Sequence, residues 1–86
     1  MIYTILLTPA AERERRKLPS NIRMRIDQEL LGLETNPRPL GVSKLAGGNN
    51  RWRIRVGDYR VIYAIEDDTR LITVFRIAHR REVYRD

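Results

Sequence analysis

The sequence predicts an α+β fold, a two-helix hairpin packed on one face of a mainly antiparallel four-stranded sheet in the order β-α-α-β-β-β. Three observations predict it. Residues 51–63, Arg-Trp-Arg-Ile-Arg-Val-Gly-Asp-Tyr-Arg-Val-Ile-Tyr, hold two alternating runs that meet at Gly57-Asp58. Alternation with period two marks half-buried strands, and a two-residue connection beginning with Gly suits a type II′ hairpin. Ile22, Ile26, Leu30 and Leu33 recur at helical spacing, so a helix packs along one stripe. Helical and strand patterns are segregated along the chain, which argues for helices on one face of an antiparallel sheet.

Taken in order, Ile2 to Leu7 is a short apolar run rich in strand formers and reads as the first strand. Thr8 and Pro9 stop it, with Thr suited to the N-cap and Pro to the first helical position. Residues 9–17 form a short, polar helix whose inward positions are Ala11 and Leu18. Pro19-Ser20 breaks and recaps the chain, and the second helix runs from about Asn21 to Glu34. Asn36-Pro37-Arg38-Pro39-Leu40-Gly41 reads as extended loop. Residues 42–50 read as loop too, with Gly47-Gly48 a weak candidate for a phosphate-binding nest.

The hairpin then fixes a register. Val56 opposes Tyr59, Arg55 opposes Arg60, Ile54 opposes Val61 and Arg53 opposes Ile62. Trp52, Ile54, Val56, Tyr59, Val61 and Tyr63 therefore share the core face, and Arg51, Arg53, Arg55 and Arg60 share the other. Asp67-Asp68-Thr69 makes the next turn, and Leu71 to Ala78 is the last strand, apolar on both faces and so internal to the sheet. If Phe75 and Ile77 face the core, then Arg76, Ala78 and Arg80 join the arginine face, and Tyr84 folds back over it.

The chain has 86 residues, enough for one domain spanning 1–86, with a formal net charge of +6 from 17 basic and 11 acidic residues. All the basic residues but Lys17 and Lys44 are Arg. Solubility does not require Arg, whereas bidentate recognition of phosphate favours it. Nucleic acid is the first partner this balance suggests, and an acidic protein the second. No apolar run has membrane-spanning length, so no membrane role is expected.

Any single arginine on a sheet face is ordinarily just solvated. Four on one face, with Arg55 and Arg60 directly opposed, are a destabilising arrangement for a chain that only needs to fold. Other chemistries fail on inventory. With no Cys and a single His, neither a thiolate nor a His-rich metal site can be built, and no cofactor is expected. There is no nucleophile elbow, P-loop or dinucleotide fingerprint. His79 is a minor candidate for proton transfer. An arginine cluster can bind a phosphodiester and stabilise charge developing on it. RNA brings its own nucleophile, the 2′-OH, so holding the backbone in line promotes cleavage without metal.

Lys44-Leu45, the block Arg53-Ile54-Arg55-Val56-Gly57-Asp58-Tyr59-Arg60-Val61-Ile62-Tyr63, and the ending His79-Arg80-Arg81-Glu82-Val83-Tyr84 resemble the RelE/ParE toxin superfamily, and its RelE branch of mRNA interferases more closely. The resemblance spans nearly the whole chain. It implies a RelE-like fold and a cytoplasmic toxin of a type II toxin–antitoxin system, a ribosome-dependent endoribonuclease cutting mRNA in the ribosomal A site. The implied partners are a small acidic cognate antitoxin and the ribosome with its mRNA and rRNA. The implied catalytic residues are Arg53, Arg55, Arg60, Arg80 and Tyr84. One departure is chemical: family members carry Lys where this chain has Arg53 and Arg55, and Arg cannot serve as a base by losing its proton. The alternatives are a ParE-like, non-catalytic toxin that binds and inhibits DNA gyrase or topoisomerase, and a simple nucleic-acid-binding module.

Overall fold

The computed structural model describes residues 2–47 and 50–79. The elements in chain order are β1 (Thr4–Leu7), α1 (Pro9–Arg16), α2 (Ser20–Leu33), β2 (Ser43–Lys44), β3 (Arg51–Val56), β4 (Tyr59–Glu66) and β5 (Leu71–His79). They build one sheet of five strands in the order β1-β5-β4-β3-β2. The expected four-stranded sheet thus gains β2 from the segment read as loop. Only two residues pair, Ser43 with Arg53 and Lys44 with Trp52, too few to show alternation in the sequence. β1 lies parallel to β5, and every other pairing is antiparallel.

The local causes are those the residues suggest. Thr8 caps α1 by accepting from the Ala11 N–H at 3.2 Å, and Pro9 opens the helix. α2 starts at Ser20 behind Pro19, which offers no side-chain cap, so the expected recapping by Ser20 does not occur. Gly57 turns the central hairpin at φ +61°, and Asp58 keeps a negative φ, as a type II′ turn requires.

Both helices pack on one face. Ala11 and Leu18, with Ile26, Leu30 and Leu33 of α2, form a single cluster with Ile54, Val56, Val61, Tyr63, Ile65, Ile72, Val74 and Ile77 of the sheet. Arg15 makes a bidentate pair with Asp27, both contacts 2.7 Å, and so ties α1 to α2. The opposite sheet face carries no helix among the described residues. No helix of the described residues is long and apolar enough to cross a membrane.

One irregularity re-aims β5. Tyr63 pairs with Val74 while Ile62 pairs with Arg76, leaving Phe75 as an extra residue in the ladder. Val74 and Ile77 are both buried in the core, on either side of this bulge. Phase therefore flips within the strand, and Phe75 leaves the core face to which simple alternation assigned it.

The bulge also lies where β1 ends. β1 pairs with Leu71 to Val74 and then turns away into α1, so among the described residues the rest of β5 has no strand on that side. Glu14 of α1 supplies the partner instead. Its carboxylate accepts from the Ile77 N–H at 2.8 Å and from Arg76 Nε at 3.0 Å. An otherwise orphaned ladder donor is satisfied by a helix side chain.

Candidate nucleic-acid interface

The register of the central hairpin is the expected one, with Arg55 opposite Arg60, Arg53 opposite Ile62 and Ile54 opposite Val61. The outward face therefore carries Arg51, Arg53 and Arg55 along β3, spaced every second residue, about 7 Å apart. Their inward neighbours Ile54 and Val56 are buried, which anchors the strand and fixes the direction of the arginines.

These side chains are not equally accessible. Arg55 is exposed and Arg51 and Arg53 are half-buried, whereas Arg60 is only 3% exposed. The expectation of one open arginine face is corrected here. Arg60 lies on that face in register, on β4, the middle strand of the five, where the other outward residues Ile62 and Ala64 are half-buried. Its ladder neighbours are Arg55 and Ala78. Arg53 and Arg55 sit one strand nearer the sheet edge. Beside them a cleft of about 290 Å³ is lined by Leu40, Gly41, Ser43, Arg53, Ile54 and Arg55.

The other predicted residues divide. Arg80 and Tyr84 lie outside the described residues, as do Gly48 and Asn49 of the weak nest motif. His79 pairs with Tyr59 and packs edge-on against its ring at 5.4 Å, on the Val56/Tyr59 side of the sheet rather than the arginine side. Among the described residues no group of three or more His, Asp or Glu could hold a metal ion.

Sequence reasoning missed three residues on or beside this face. Phe75, outward at the bulge, lies under Arg51, whose guanidinium carbon is 4.1 Å from the ring centroid. Ser43 sits directly across from Arg53. Arg25 of α2 reaches the hairpin tip, its Nη1 3.4 Å from where a Gly57 side chain would begin. Only the apolar character of Leu71 to Ile77 in both phases hinted that β5 could switch face.

A separate polar frame holds the site's flank. Arg38 binds Asp67 with two contacts, 3.3 and 2.9 Å, and the Tyr3 hydroxyl donates to the same carboxylate at 2.6 Å. These bonds, Arg38 first, hold the Asp67 carboxyl below its ordinary range. Arg38 and Lys44 both approach the Trp52 ring, at 5.0 and 5.7 Å from its centroid. Trp52 Nε1 donates to Asn50 Oδ1 at 3.0 Å, and the Asn50 amide donates to the Ile65 carbonyl. Tyr63 donates to the Pro37 carbonyl at 2.8 Å, and burial pushes its hydroxyl up to about 12. Loop 36–42 is thereby fastened to the sheet just before β2 and the cleft.

Chemically, the face offers fixed positive charge. Guanidinium groups bind phosphate oxygens in a planar, bidentate manner and stay protonated while doing so. They suit binding a phosphodiester and neutralising charge on it, but supply no proton acceptor.

Residues 5–84 match the family described as the ParE toxin of the type II toxin–antitoxin system parDE. The chain is 33% identical over 90 residues to toxin RelG of Mycobacterium tuberculosis, covering 99% of each protein. It is 33% identical over 84 residues to toxin RelE of the same organism, covering 96% of this chain and 87% of that one. Among solved structures it resembles the archaeal RelE–RelB complex from Pyrococcus horikoshii, with a TM-score of 0.83, 28% identity and 93% and 97% of the two chains covered. It also resembles the toxin–antitoxin complex RelBE2 from Mycobacterium tuberculosis, with a TM-score of 0.80, 26% identity and coverage of 92% and 99%.

Proposed function

The chain belongs to the ParE toxin family within the RelE/ParE superfamily and is a toxin of a type II toxin–antitoxin system, and we propose that it is a ribosome-dependent endoribonuclease that cuts mRNA in the A site. The observation that carries this reading is the row Arg51, Arg53 and Arg55 on the sheet face that carries no helix among the described residues, with Arg60 in register beside it. Relatives named RelE and RelG support the nuclease branch over the rest of the superfamily.

In this reading Arg53 and Arg55, both more accessible than Arg60, hold the scissile phosphate. Arg55 orients the 2′-OH toward phosphorus, and in-line attack leaves a 2′,3′-cyclic phosphate. Arg60 supplies charge from behind them, and Arg80 and Tyr84 assist the leaving 5′-oxygen and the neighbouring base. Arginines stabilise the dianionic phosphorane without accepting the 2′-OH proton, so that proton goes to an rRNA group or to solvent. This division of labour fits an enzyme whose site is completed by the ribosome. No step in it uses a metal ion.

The second partner is a cognate antitoxin, the role RelB plays in the related complexes. A domain of net charge +6 suits a small acidic antitoxin, and association should slow as salt screens that attraction. The toxin would act in the cytoplasm, where ribosomes are.

The match to a family described by ParE favours one other reading, a non-catalytic toxin that inhibits a topoisomerase. A paired assay separates the two. Purified toxin should cleave mRNA on translating ribosomes and leave gyrase supercoiling unaffected; blocked supercoiling with intact mRNA reverses the assignment.

A further inference from the structure

Phe75 is an aromatic side chain on a sheet face that carries no helix among the described residues. A sheet that only folds has little use for it there. Ile72 and Val74 face the core, so Phe75 points outward, and the bulge that sets Phe75 and Arg76 together opposite Ile62 returns Ile77 to the core without taking the ring with it. The ring is not hidden by apolar neighbours alone, since the guanidinium of Arg51 lies over it at 4.1 Å. Arg51 is two residues from Arg53 on the same face of β3, a step of about 7 Å, comparable to one nucleotide of extended single strand. The next outward positions across the sheet from Arg51 are Ala64 and Thr73, small side chains that leave the ring and guanidinium as the dominant features of that row.

We infer that Phe75 and Arg51 form a base-stacking platform for single-stranded RNA, one nucleotide along from the phosphate held by Arg53 and Arg55. This rests on the reading of the arginine face as an RNA-binding site. Flat aromatic rings and guanidinium planes are the two protein surfaces on which unpaired bases stack. A cation beside the ring matches the charge of the flanking phosphate, and neighbouring Arg53 continues the backbone track. The site takes a nucleobase through its π-face, so it tolerates different bases and selects for single strands over duplex.

The bland account is that Arg51 merely covers Phe75 from water. The two differ in what RNA does to the ring. The test uses free protein and a short single-stranded RNA of about eight nucleotides carrying one central 2-aminopurine, whose fluorescence is quenched by stacking. Wild type should quench the probe and prefer it to duplex RNA of the same sequence. Phe75→Leu, which keeps the apolar volume, should lose the quench and bind roughly tenfold more weakly. Phe75→Trp should restore both. Arg51→Gln should weaken binding and reduce its salt dependence while leaving the ring able to quench.

A folded Phe75→Leu that binds and quenches like wild type overturns the platform, as does wild-type binding without quenching. Should Phe75→Leu fail to fold, Phe75→Trp decides: quenching at or above the wild-type level supports the platform, and a folded variant without it refutes the idea. The readout is independent of catalysis. Protein that quenches but leaves ribosomal mRNA intact keeps the platform and loses the nuclease; protein that cuts without quenching does the reverse.

Discussion

Arg55 and Arg60 are directly opposed across the β3–β4 ladder, yet Arg55 projects into solvent while Arg60 is 3% exposed. One relationship thus joins a repulsion to a packing contact. Like charges directly opposite each other cost roughly 0.2–1 kcal/mol in a sheet. Alternation alone would assign that cost to both residues equally, and their different burial separates them.

Arg55→Ala should leave the melting temperature unchanged or slightly raised, because it removes repulsion and little packing. Arg60→Ala should lower stability by something on the order of 2 kcal/mol, since its side chain is withdrawn from solvent and truncating it removes buried methylenes. Urea or thermal melts of the two variants check this. A raised melting point for Arg60→Ala would mean that its burial contributes no packing.

Glu14 stands in for a missing strand, so its removal should cost more than a surface substitution does. Glu14→Ala leaves the Ile77 N–H without its acceptor and should destabilise by about 1–3 kcal/mol. Glu14→Gln keeps a carbonyl oxygen for that N–H and loses only the charge toward Arg76, so it should recover much of the loss. Hydrogen exchange at Ile77 gives the local readout: fast exchange in Glu14→Ala and near-normal protection in Glu14→Gln are expected.

Acid should loosen the polar frame. Arg38 and Tyr3 hold Asp67 below the ordinary carboxylate range, and Arg15 does the same for Asp27. A depressed folded-state value means that the stabilisation is fully present above the unfolded value, about 3.9, and is lost as pH falls through the folded one. These groups should therefore leave stability flat from pH 7 to about 5 and erode it below about 4. Arg38→Gln and Arg15→Gln should each flatten that acid limb, modestly because both pairs are partly solvated. Urea midpoints measured across that range test it, and an acid limb unchanged in both variants would contradict it.

Much of this architecture is legible in the residues, and the exceptions have physical causes. The hairpin register follows from Gly57-Asp58 because a two-residue turn allows one pairing, and alternation then assigns faces. Thr8-Pro9 and the Ile22/Ile26/Leu30/Leu33 stripe mark the helices through capping and periodicity. β2 is hidden because two residues carry no period. The bulge is hidden because Ile72, Val74, Phe75 and Ile77 are apolar in both phases, so only the fit against Ile62 and Tyr63 selects which turn inward. The burial of Arg60 is hidden because alternation assigns a side chain to a face and says nothing of how far it is withdrawn from solvent there. Of the predicted site, Arg53, Arg55 and Arg60 fall on one face as expected, while Arg80 and Tyr84 lie outside the described residues.

Cleavage of mRNA on programmed ribosomes tests the central claim most directly. Wild-type protein should cut in the A site in single turnover, leave free RNA nearly intact, and keep cutting in EDTA when polyamine stabilises the ribosomes. Arg55→Ala should fold and cut on the order of a hundredfold more slowly, the scale for removing one preorganised charge. Arg53→Ala should behave alike, and the double variant should lose less than the product of the two if they hold one phosphate together. Arg13→Ala on α1 should cut normally. A folded Arg55→Ala that cuts at the wild-type rate would place the chemistry elsewhere, and wild-type protein that leaves ribosomal mRNA uncut would contradict the account outright.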